Sequence, residues 1–346
     1  MKVAIISDTH FGARKNSKIF HDYFKKFYDD VFFPTLDKEG IKTVIHMGDV
    51  FDSRKGIDFS ALSWAKNNVF DPIKERGIHF HLLVGNHDAY YKNTNQVNAI
   101  DLLLREYENI IVYSDPKEIC IGNLNTLFVP WINQENESKT LKIIEKSKAE
   151  VVMGHLELNG FYCHRGHVMD CGREPQSYDK FKKVFSGHYH TRSSNNKIFY
   201  LGNPYEIYWN DVNDKRGFHI FDTETLEHTA VDNTFRMFYN IYYEDTPHQM
   251  LNVDQYENKI VKVIVRKKSD LKQFEKFIDK LYGANVHDLK VVENFEISID
   301  DNFESEESED TFSTLSRYVE ECEIALDKSK LVGILETIYK EASEMV

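Results

Sequence analysis

Two carboxylates, one amide and four imidazoles recur where apolar runs of this chain end. Asp8 and His10 stand in Asp8-Thr-His10, and Asp49 in His46-Met-Gly-Asp-Val-Phe-Asp52. Asn86 follows in Gly85-Asn-His-Asp88, His155 in Gly154-His155, and His188 with His190 in Gly187-His-Tyr-His190. That donor mixture suits borderline-hard divalent ions such as Mn²⁺, Fe²⁺ or Zn²⁺, and it suits Ca²⁺, which takes nearly all oxygen, poorly. Seven ligands exceed what one tetrahedral zinc needs. Two ions roughly 3.5 to 4 Å apart, bridged by Asp49, would use them all and provide a nucleophile near neutral pH together with charge for a phosphoryl transition state. A leaving group also needs a proton. His87, beside Asn86, is placed to act as acid or transition-state stabiliser, and Asp52 to orient its imidazole.

Taken singly, each motif has a plainer reading. Asp8-Thr-His10 is an ordinary loop with a cap, His155 a satisfied polar residue, and Gly-Asp and Gly-Asn are common turns. What favours chemistry is that five such elements stand in one order, each after a strand-like run. The remaining histidines (His21, His46, His79, His81, His164, His167, His219, His228, His248, His287) read as structural.

The elements that must carry these residues follow from periodicity. Val3 to Ser7, Thr43 to Met47 and His79 to Val84 are buried-type strands. Ser17 is a candidate cap for a helix whose apolar face is Ile19, Phe20, Tyr23, Phe24, Phe27, Tyr28 and Val31, with Pro34 just beyond its end. Further helices are expected over 59–74, around Val97, Ile100, Leu103 and Leu104, and over 137–148. Strand, loop and helix alternate three times, which predicts a layered α/β domain with helices on the sheet faces and ligands at the carboxyl ends of strands. Shorter alternating segments over 110–130, then strands near 150–153, 183–186, 197–201, 217–222 and 228–231, predict a second sheet and completion of the pair. A strand over 259–265, a cap at Ser269, a helix over 271–281 and a strand over 289–295 predict a compact βαβ accessory unit.

Composition sets the frame. The 346 residues are 41% apolar and suffice for about two domains. No run of ~18 apolar residues exists and the amino terminus leads straight into a strand, so neither membrane span nor secretory signal is expected, and the expected compartment is the cytoplasm. Cys120, Cys163, Cys171 and Cys322 show no CxxC spacing, so reduced thiols are expected rather than a disulfide framework or a zinc knuckle. The net charge is -13, but residues 300–346 hold 14 acidic and 4 basic side chains, leaving -3 for the other 299 and room for basic patches. Residues 300–310 read as an acidic linker. Two amphipathic helices follow, one through Phe312, Leu315, Tyr318, Val319 and Cys322, the other behind Ser329 through Leu331, Ile334, Leu335, Ile338 and Tyr339.

With those residues in view, the chain resembles the calcineurin-like metallophosphoesterases, whose five motifs match Asp8-x-His10, Gly48-Asp49-x-x-Asp52, Gly85-Asn-His-Asp88, His155 and Gly187-His-x-His190. Ile6-Ser-Asp-Thr-His-Phe-Gly12, Ser186-Gly-His-Tyr-His-Thr-Arg192 and Tyr200-Leu-Gly-Asn-Pro204 extend the likeness to the SbcD-type nuclease subunits of recombination and double-strand-break repair, and within them to the T-even bacteriophage version. The resemblance implies a four-layer α/β/β/α sandwich over 1–234, an accessory capping domain over 235–299 and a partner-binding helical tail over 311–346. It implies two Mn²⁺ ions, with Mg²⁺, Fe²⁺ or Zn²⁺ as alternatives, held by Asp8, His10, Asp49, Asn86, His155, His188 and His190, and it makes His87 the catalytic histidine. Some relatives carry histidine where this chain has Asp52.

The implied activity is exonuclease and endonuclease action on DNA beside an SbcC-type coiled-coil ATPase, in the host cytoplasm if phage-encoded. Homodimerisation comes with it, and Trp64, Val69 and Phe70 or Leu103 and Leu104 are candidate contacts. Cations follow several ligand loops: Arg14, Lys15 and Lys18, then Arg54 and Lys55, Lys92, and Arg192. They form a candidate rim for phosphates, against the default of scattered surface charges. The competing readings are a phosphatase or small-nucleotide phosphodiesterase on the same scaffold, and a subunit that mainly tethers or regulates an ATPase.

Overall fold

The structure is a computed structural model and describes residues 1–246, 248, 251–266 and 270–293. The chain opens with β1 (Lys2–Ile6) and then a long helical stretch. Helix α1 (Lys18–Phe27) passes through a π-helical turn (Tyr28–Phe32) into α2 (Phe33–Glu39). Pro34 therefore lies inside the helical run, not beyond it. The wider π turn shifts the hydrogen-bond ladder there, and Pro34, second residue of α2, is tolerated because a first-turn residue needs no N–H for the ladder. Ser17 occupies the expected cap position, but its side chain makes no capping hydrogen bond.

After β2 (Thr43–His46), α3 (Phe59–Ala65) passes through a second π turn (Lys66–Phe70) into α4 (Asp71–Glu75). Strand β3 (His79–Leu83), α5 (Ala99–Leu103) and β4 (Ile110–Tyr113) follow. Helix α5 starts after Val97 because the Asn98 side chain accepts from the Asp101 N–H. Next come β5 (Lys117–Ile121), β6 (Leu124–Val129), α6 (Glu137–Lys146), β7 (Val151–His155) and a hairpin of β8 (Tyr162–His164) and β9 (His167–Val168). Strands β10 (Lys183–Gly187), β11 (Ser193–Ser194), β12 (Ile198–Tyr200), β13 (Arg216–Asp222) and β14 (His228–Asn233) complete the pair of sheets.

The first sheet has the order β14-β13-β1-β2-β3-β4 and the second β11-β12-β10-β7-β6-β5. Strand β4 thus closes the edge of the first sheet, where the segment 110–130 had been expected to lie wholly in the second. Within each sheet the strands that carry the motifs are parallel neighbours, β1 with β2 and β2 with β3, β7 with β10. Their carboxyl ends consequently open on one side.

Alternation along the strands sorts the layers. Val3 and Ile5 point between the sheets, packing with Ile45, Met47 and Leu83 and with Phe128, Val151, Met153 and Phe185 of the second sheet. Ala4 and Ile6 face the other way, against Phe20, Phe24 and Phe27 of α1. Val152 and Val184 face outward to Ile144 of α6. Helix, sheet, sheet and helix are the four layers, and the central strands β1, β2, β7 and β10 are buried on both faces, as parallel sheets require.

A third sheet, β15 (Phe238–Tyr242), β16 (Ile260–Val265) and β17 (Asp288–Glu293), is parallel throughout and packs α7 (Leu271–Gly283) through Phe274, Phe277 and Leu281. Its first strand adds to the expected βαβ unit. Asp270, whose carboxylate accepts from the N–H groups of Lys272 and Gln273, caps α7; Ser269 lies outside the described residues. Phe238 and Ile260 belong to the main core, so the small sheet is anchored at one end in the large layers. The acidic segment 300–310 and the helices expected over 311–346 lie outside the described residues. Among the described residues no helix is long and apolar enough to cross a membrane.

Candidate metal centre

The loops that follow β1 and β2 are laced together beyond the strands themselves. Asp8 N–H donates to Gly48 O at 3.0 Å, His10 N–H to Asp49 O at 3.1 Å and Phe11 N–H to Val50 O at 2.8 Å. The lacing holds uncommon backbone. Asp8 (φ 55°), His10 (φ 45°), Asp49 (φ 56°) and His188 (φ 84°) all occupy the left-handed region, at a cost of order 1–3 kcal/mol each for residues other than glycine. Such strain persists only where the surroundings impose it. The surroundings are close: a Cβ on Gly85 would lie 2.2 Å from Asp49 Oδ1, and one on Gly187 would lie 1.9 Å from Ser7 Oγ.

All seven candidate ligands converge. Asp8, His10 and His190 form one group whose donor atoms lie within 4.8 Å of one another, and Asp49, His155 and His188 form a second. His10 Nε2 faces His190 Nε2 at 3.1 Å. Asn86 Oδ1 stands 2.8 Å from His155 Nε2 and 3.0 Å from His188 Nδ1. Asp49 Oδ2 lies between the groups, 3.4 Å from His155 Nε2 and 3.8 Å from His10 Nε2. Asp8, His10, Asp49 and His155 are buried. Imidazole nitrogens and carboxylate oxygens turned toward one another, away from water, are a donor set that divalent cations fit.

Electrostatics agree with that fit. Burial lowers the tendency of His10 to hold a proton, yet the Asp52 carboxylate 3.2 Å from its Nδ1 and the Asp49 charge push its pKa up to about 9. Burial opposes protonation of His155 as well, and the Asp49 charge again prevails, to about 9. Burial is likewise opposed at Asp49, where the histidines hold the carboxyl well below the usual range. In the metal-free protein, protons on His10 and His155 offset the buried carboxylates. A cation must displace them, because only neutral imidazole ligates. Metal affinity is therefore expected to rise with pH up to about 9, with proton release on binding, as isothermal titration in buffers of different ionisation heat reports. The linked sign for stability is opposite. Both groups have folded pKa values above their ordinary 6.5, so their contribution to chelated protein is full below that value and is lost as pH rises through about 9. Melting in chelator from pH 6 to 10 reads it; a flat profile counts against this account.

His87 adjoins both groups, its ring centroid 4.9 Å from that of His10. Its Nδ1 meets the backbone carbonyl of Asp52 at 2.6 Å. The Asp52 carboxylate, expected to orient His87, lies 3.2 Å from His10 Nδ1 and forms one group with His10 and His87 whose donor atoms are within 4.8 Å of one another, but the hydrogen bond to His87 comes from the Asp52 backbone carbonyl. Burial keeps the His87 pKa below its ordinary value. His46, read as structural, is deeply buried with its pKa down at about 3 and lies 3.0 Å from Thr9 Oγ1.

Asp88 is a positioning residue that sequence reasoning left without a role. Its carboxylate accepts from the backbone N–H groups of Asp49 (2.8 Å), Val50 (2.9 Å), Phe51 (3.3 Å) and Gly85 (2.9 Å), clamping the loop after β2 to the loop after β3. Burial and the neighbouring Asp49 push its pKa up to about 7. The signal was its place in Gly85-Asn-His-Asp88. Two further neighbours carried no sequence signal: Trp131, with its ring 5.1 Å from His188, and Glu157, with Oε1 3.8 Å from His188 Nε2.

The seven candidate rim cations divide. Arg14, Lys15, Lys55 and Lys92 are exposed, with Arg14 over the rings of Phe20 and Phe238. Arg54 is half-buried, its pKa lowered by burial against the Asp49 charge. Lys18 pairs with Asp22 at 2.7 Å. Arg192 is largely buried and pairs with Asp232 at 2.5 Å, so it is engaged within the fold.

This arrangement meets its likeness elsewhere. The chain is 32% identical over 356 aligned positions to exonuclease subunit 1 of Enterobacteria phage T4, covering 99% of this chain and 100% of that one. Among solved structures, an archaeal phosphodiesterase superposes with a TM-score of 0.35 at 15% identity, covering 67% of this chain and 100% of its own. A purple acid phosphatase from yellow lupin seeds gives 0.35 at 14% identity, covering 56% and 38%. The profile of the calcineurin-like phosphoesterases matches residues 1–192, the span that supplies every residue of the two groups, and with that match the chain belongs to this family.

Proposed function

We propose that the chain is a Mn²⁺-dependent nuclease that hydrolyses DNA phosphodiester bonds at two ions, as the nuclease subunit of an SbcCD-like recombination and repair complex. The observation that supports this most is the placing of Asp49 between two ligand groups drawn from both sheets. Asp8, His10 and His190 would hold one ion and Asn86, His155 and His188 the other, with Asp49 shared; Mg²⁺, Fe²⁺ or Zn²⁺ could use the same donors. The near full-length relative, an exonuclease subunit, favours a nucleic-acid substrate over a small phosphoester.

Bound divalent ions lower the pKa of water toward neutrality and offset charge on the phosphoryl oxygens. The protein does the rest. Because a carbonyl only accepts, His87 Nδ1 carries the proton it donates to Asp52 O; Nε2 would take the proton that the attacking water gives up and deliver it to the departing sugar oxygen. His87→Gln is expected to lower kcat by about 10² to 10⁴-fold while two ions still bind. Equal losses in metal stoichiometry would reassign His87 as a ligand.

The substrate test is direct. Purified protein with Mn²⁺ is offered linear duplex DNA and, separately, p-nitrophenyl phosphate. Loss of DNA that stops with chelator is expected; turnover of the small ester alone would move the chain to the phosphatases.

We extend the proposal to the partners. Residues 1–234 form the nuclease domain, 235–299 the accessory domain, and the tail beyond the 300–310 linker grips an SbcC-type coiled-coil ATPase. Truncation after Asp310 should abolish ATPase binding and spare metal binding, and loss of folding would refute it. For a homodimer, Val69, Phe70 and Leu104 are buried in the core and unavailable. The exposed apolar side chains nearby are Phe59 (88%), Leu102 (54%), Tyr90 (42%) and Val97 (42%). Sedimentation at micromolar concentration showing monomer alone would remove that part.

A further inference from the structure

The hairpin between β7 and β10 carries a second group of metal-binding side chains, separate from the catalytic groups in position and in chemistry. Cys163, His164 and His167 bring their ligand atoms within 4.8 Å of one another. The two imidazoles lie nearly parallel, ring centroids 4.9 Å apart and planes at 16°. Cys171, in the bend that leaves the hairpin, is turned to Met169 Sδ at 3.2 Å and stands outside this group. The sequence pattern is Cys163-His164-x2-His167, which no CxxC search detects.

We propose that this hairpin binds one Zn²⁺ through Cys163, His164 and His167, with water in the fourth position. A tetrahedral zinc with Zn–N near 2.0 Å and Zn–S near 2.3 Å has ligand-to-ligand edges of about 3.3 to 3.8 Å, so side-chain rotations of roughly 1 Å close the set. Two nitrogens and a sulfur select zinc over manganese, whereas the catalytic ligands contain no sulfur. The hairpin also needs a staple. Strands β8 and β9 form a sheet of only two strands, and Tyr162 and Val168, paired across it, are 47% and 42% exposed. Isolated two-stranded ribbons are marginal in water, and a zinc joining both strands supplies folding energy that the small apolar contact does not.

The base of the hairpin is tied into the catalytic rim. Leu158 bridges Arg173, Gly160 N–H donates to Met169 O at 2.7 Å, and Tyr162 N–H donates to Ser193 Oγ at 3.1 Å. A Cβ on Gly172 would lie 3.0 Å from the carbonyl of Glu157, the residue whose carboxylate lies beside His188. A zinc at the tip therefore fixes the border of the cleft without entering it.

The test uses the full chain and Co²⁺ as a spectroscopic substitute. Thiolate ligation gives a near-ultraviolet charge-transfer band that nitrogen and oxygen ligands cannot. The expected result is a band saturating at one equivalent, lost in both Cys163→Ser and His167→Ala and retained in Asp49→Asn. Since the outer partners of metal ligands alone contribute about 10 to 100-fold, loss of a direct ligand is expected to weaken Zn²⁺ binding by about 100-fold or more. His167 is exposed, so its replacement leaves the fold intact. Zinc should also slow tryptic cleavage after the exposed Arg165 in the parent protein and not in either variant. Absence of the band, or its survival in either hairpin variant, overturns the proposal.

Discussion

Asp49→Asn is expected to reduce phosphodiester hydrolysis by at least about 10³-fold, because one preorganised charge-stabilising group alone is worth 10² to 10³ and Asp49 serves both ligand groups at once. The substitution keeps the local structure. Asparagine tolerates the left-handed backbone at this position, and its amide oxygen can still accept from the His87 N–H, which Asp49 Oδ1 does at 2.7 Å. What disappears is the negative charge 3.4 Å from His155 and 3.8 Å from His10. On the two-ion proposal bound Mn²⁺ falls from two per chain toward one, seen by equilibrium dialysis, and in chelator the His155 pKa drops from about 9, because burial lowers it once the Asp49 charge is gone. A variant within tenfold of the parent with both ions in place would end the shared-ligand reading.

Asp88→Ala should be the more destructive change for the fold of the site. It orphans four buried backbone donors, each costing about 1–3 kcal/mol, so a loss of about 4 kcal/mol or more is expected against a total of roughly 5–15 kcal/mol for a typical domain. The loops after β2 and β3 lose their common clamp, so Asp49 and Asn86 drift together. Asp88→Asn retains an acceptor and should fall between. Denaturant unfolding of the three proteins orders them; an alanine variant within 1 kcal/mol of the parent would show that the clamp is dispensable.

The two expectations differ in how they were reached. Asp49 was legible because an Asp, Asn or His just after an apolar run recurs at four other strand ends. Asp88 sat in the same motif but its role is a count of N–H groups from residues 49, 50, 51 and 85, and no linear pattern records such a count. Asp52 illustrates the converse. Its spacing from Asp49 suggested a carboxylate on His87, whereas the fold offers His87 the carbonyl and aims the carboxylate at His10.

Helix bounds show the same division. The apolar spacing of α1 marked its buried face, but the π turn at Tyr28–Phe32 that carries the helix past Pro34 depends on packing against the sheet. β4 was misplaced because a short alternating strand pairs equally well with either sheet until its neighbours are known; parallel pairing with β3 decided it.

By itself the sequence determined which residue types stand at the carboxyl ends of the strands, and hence the layered α/β class, the family resemblance and the choice of nitrogen and oxygen ligands. Those features are local: they follow from side-chain chemistry and from periodicities of two and 3.6 residues. Tertiary structure alone decided which ligands face one another, which cations are engaged, and that a cysteine and two histidines of a surface hairpin share one locus. Distances across sheets arise from the packing of elements far apart in the chain, and residues 8 and 188, or 49 and 155, acquire a separation only when both sheets are in place.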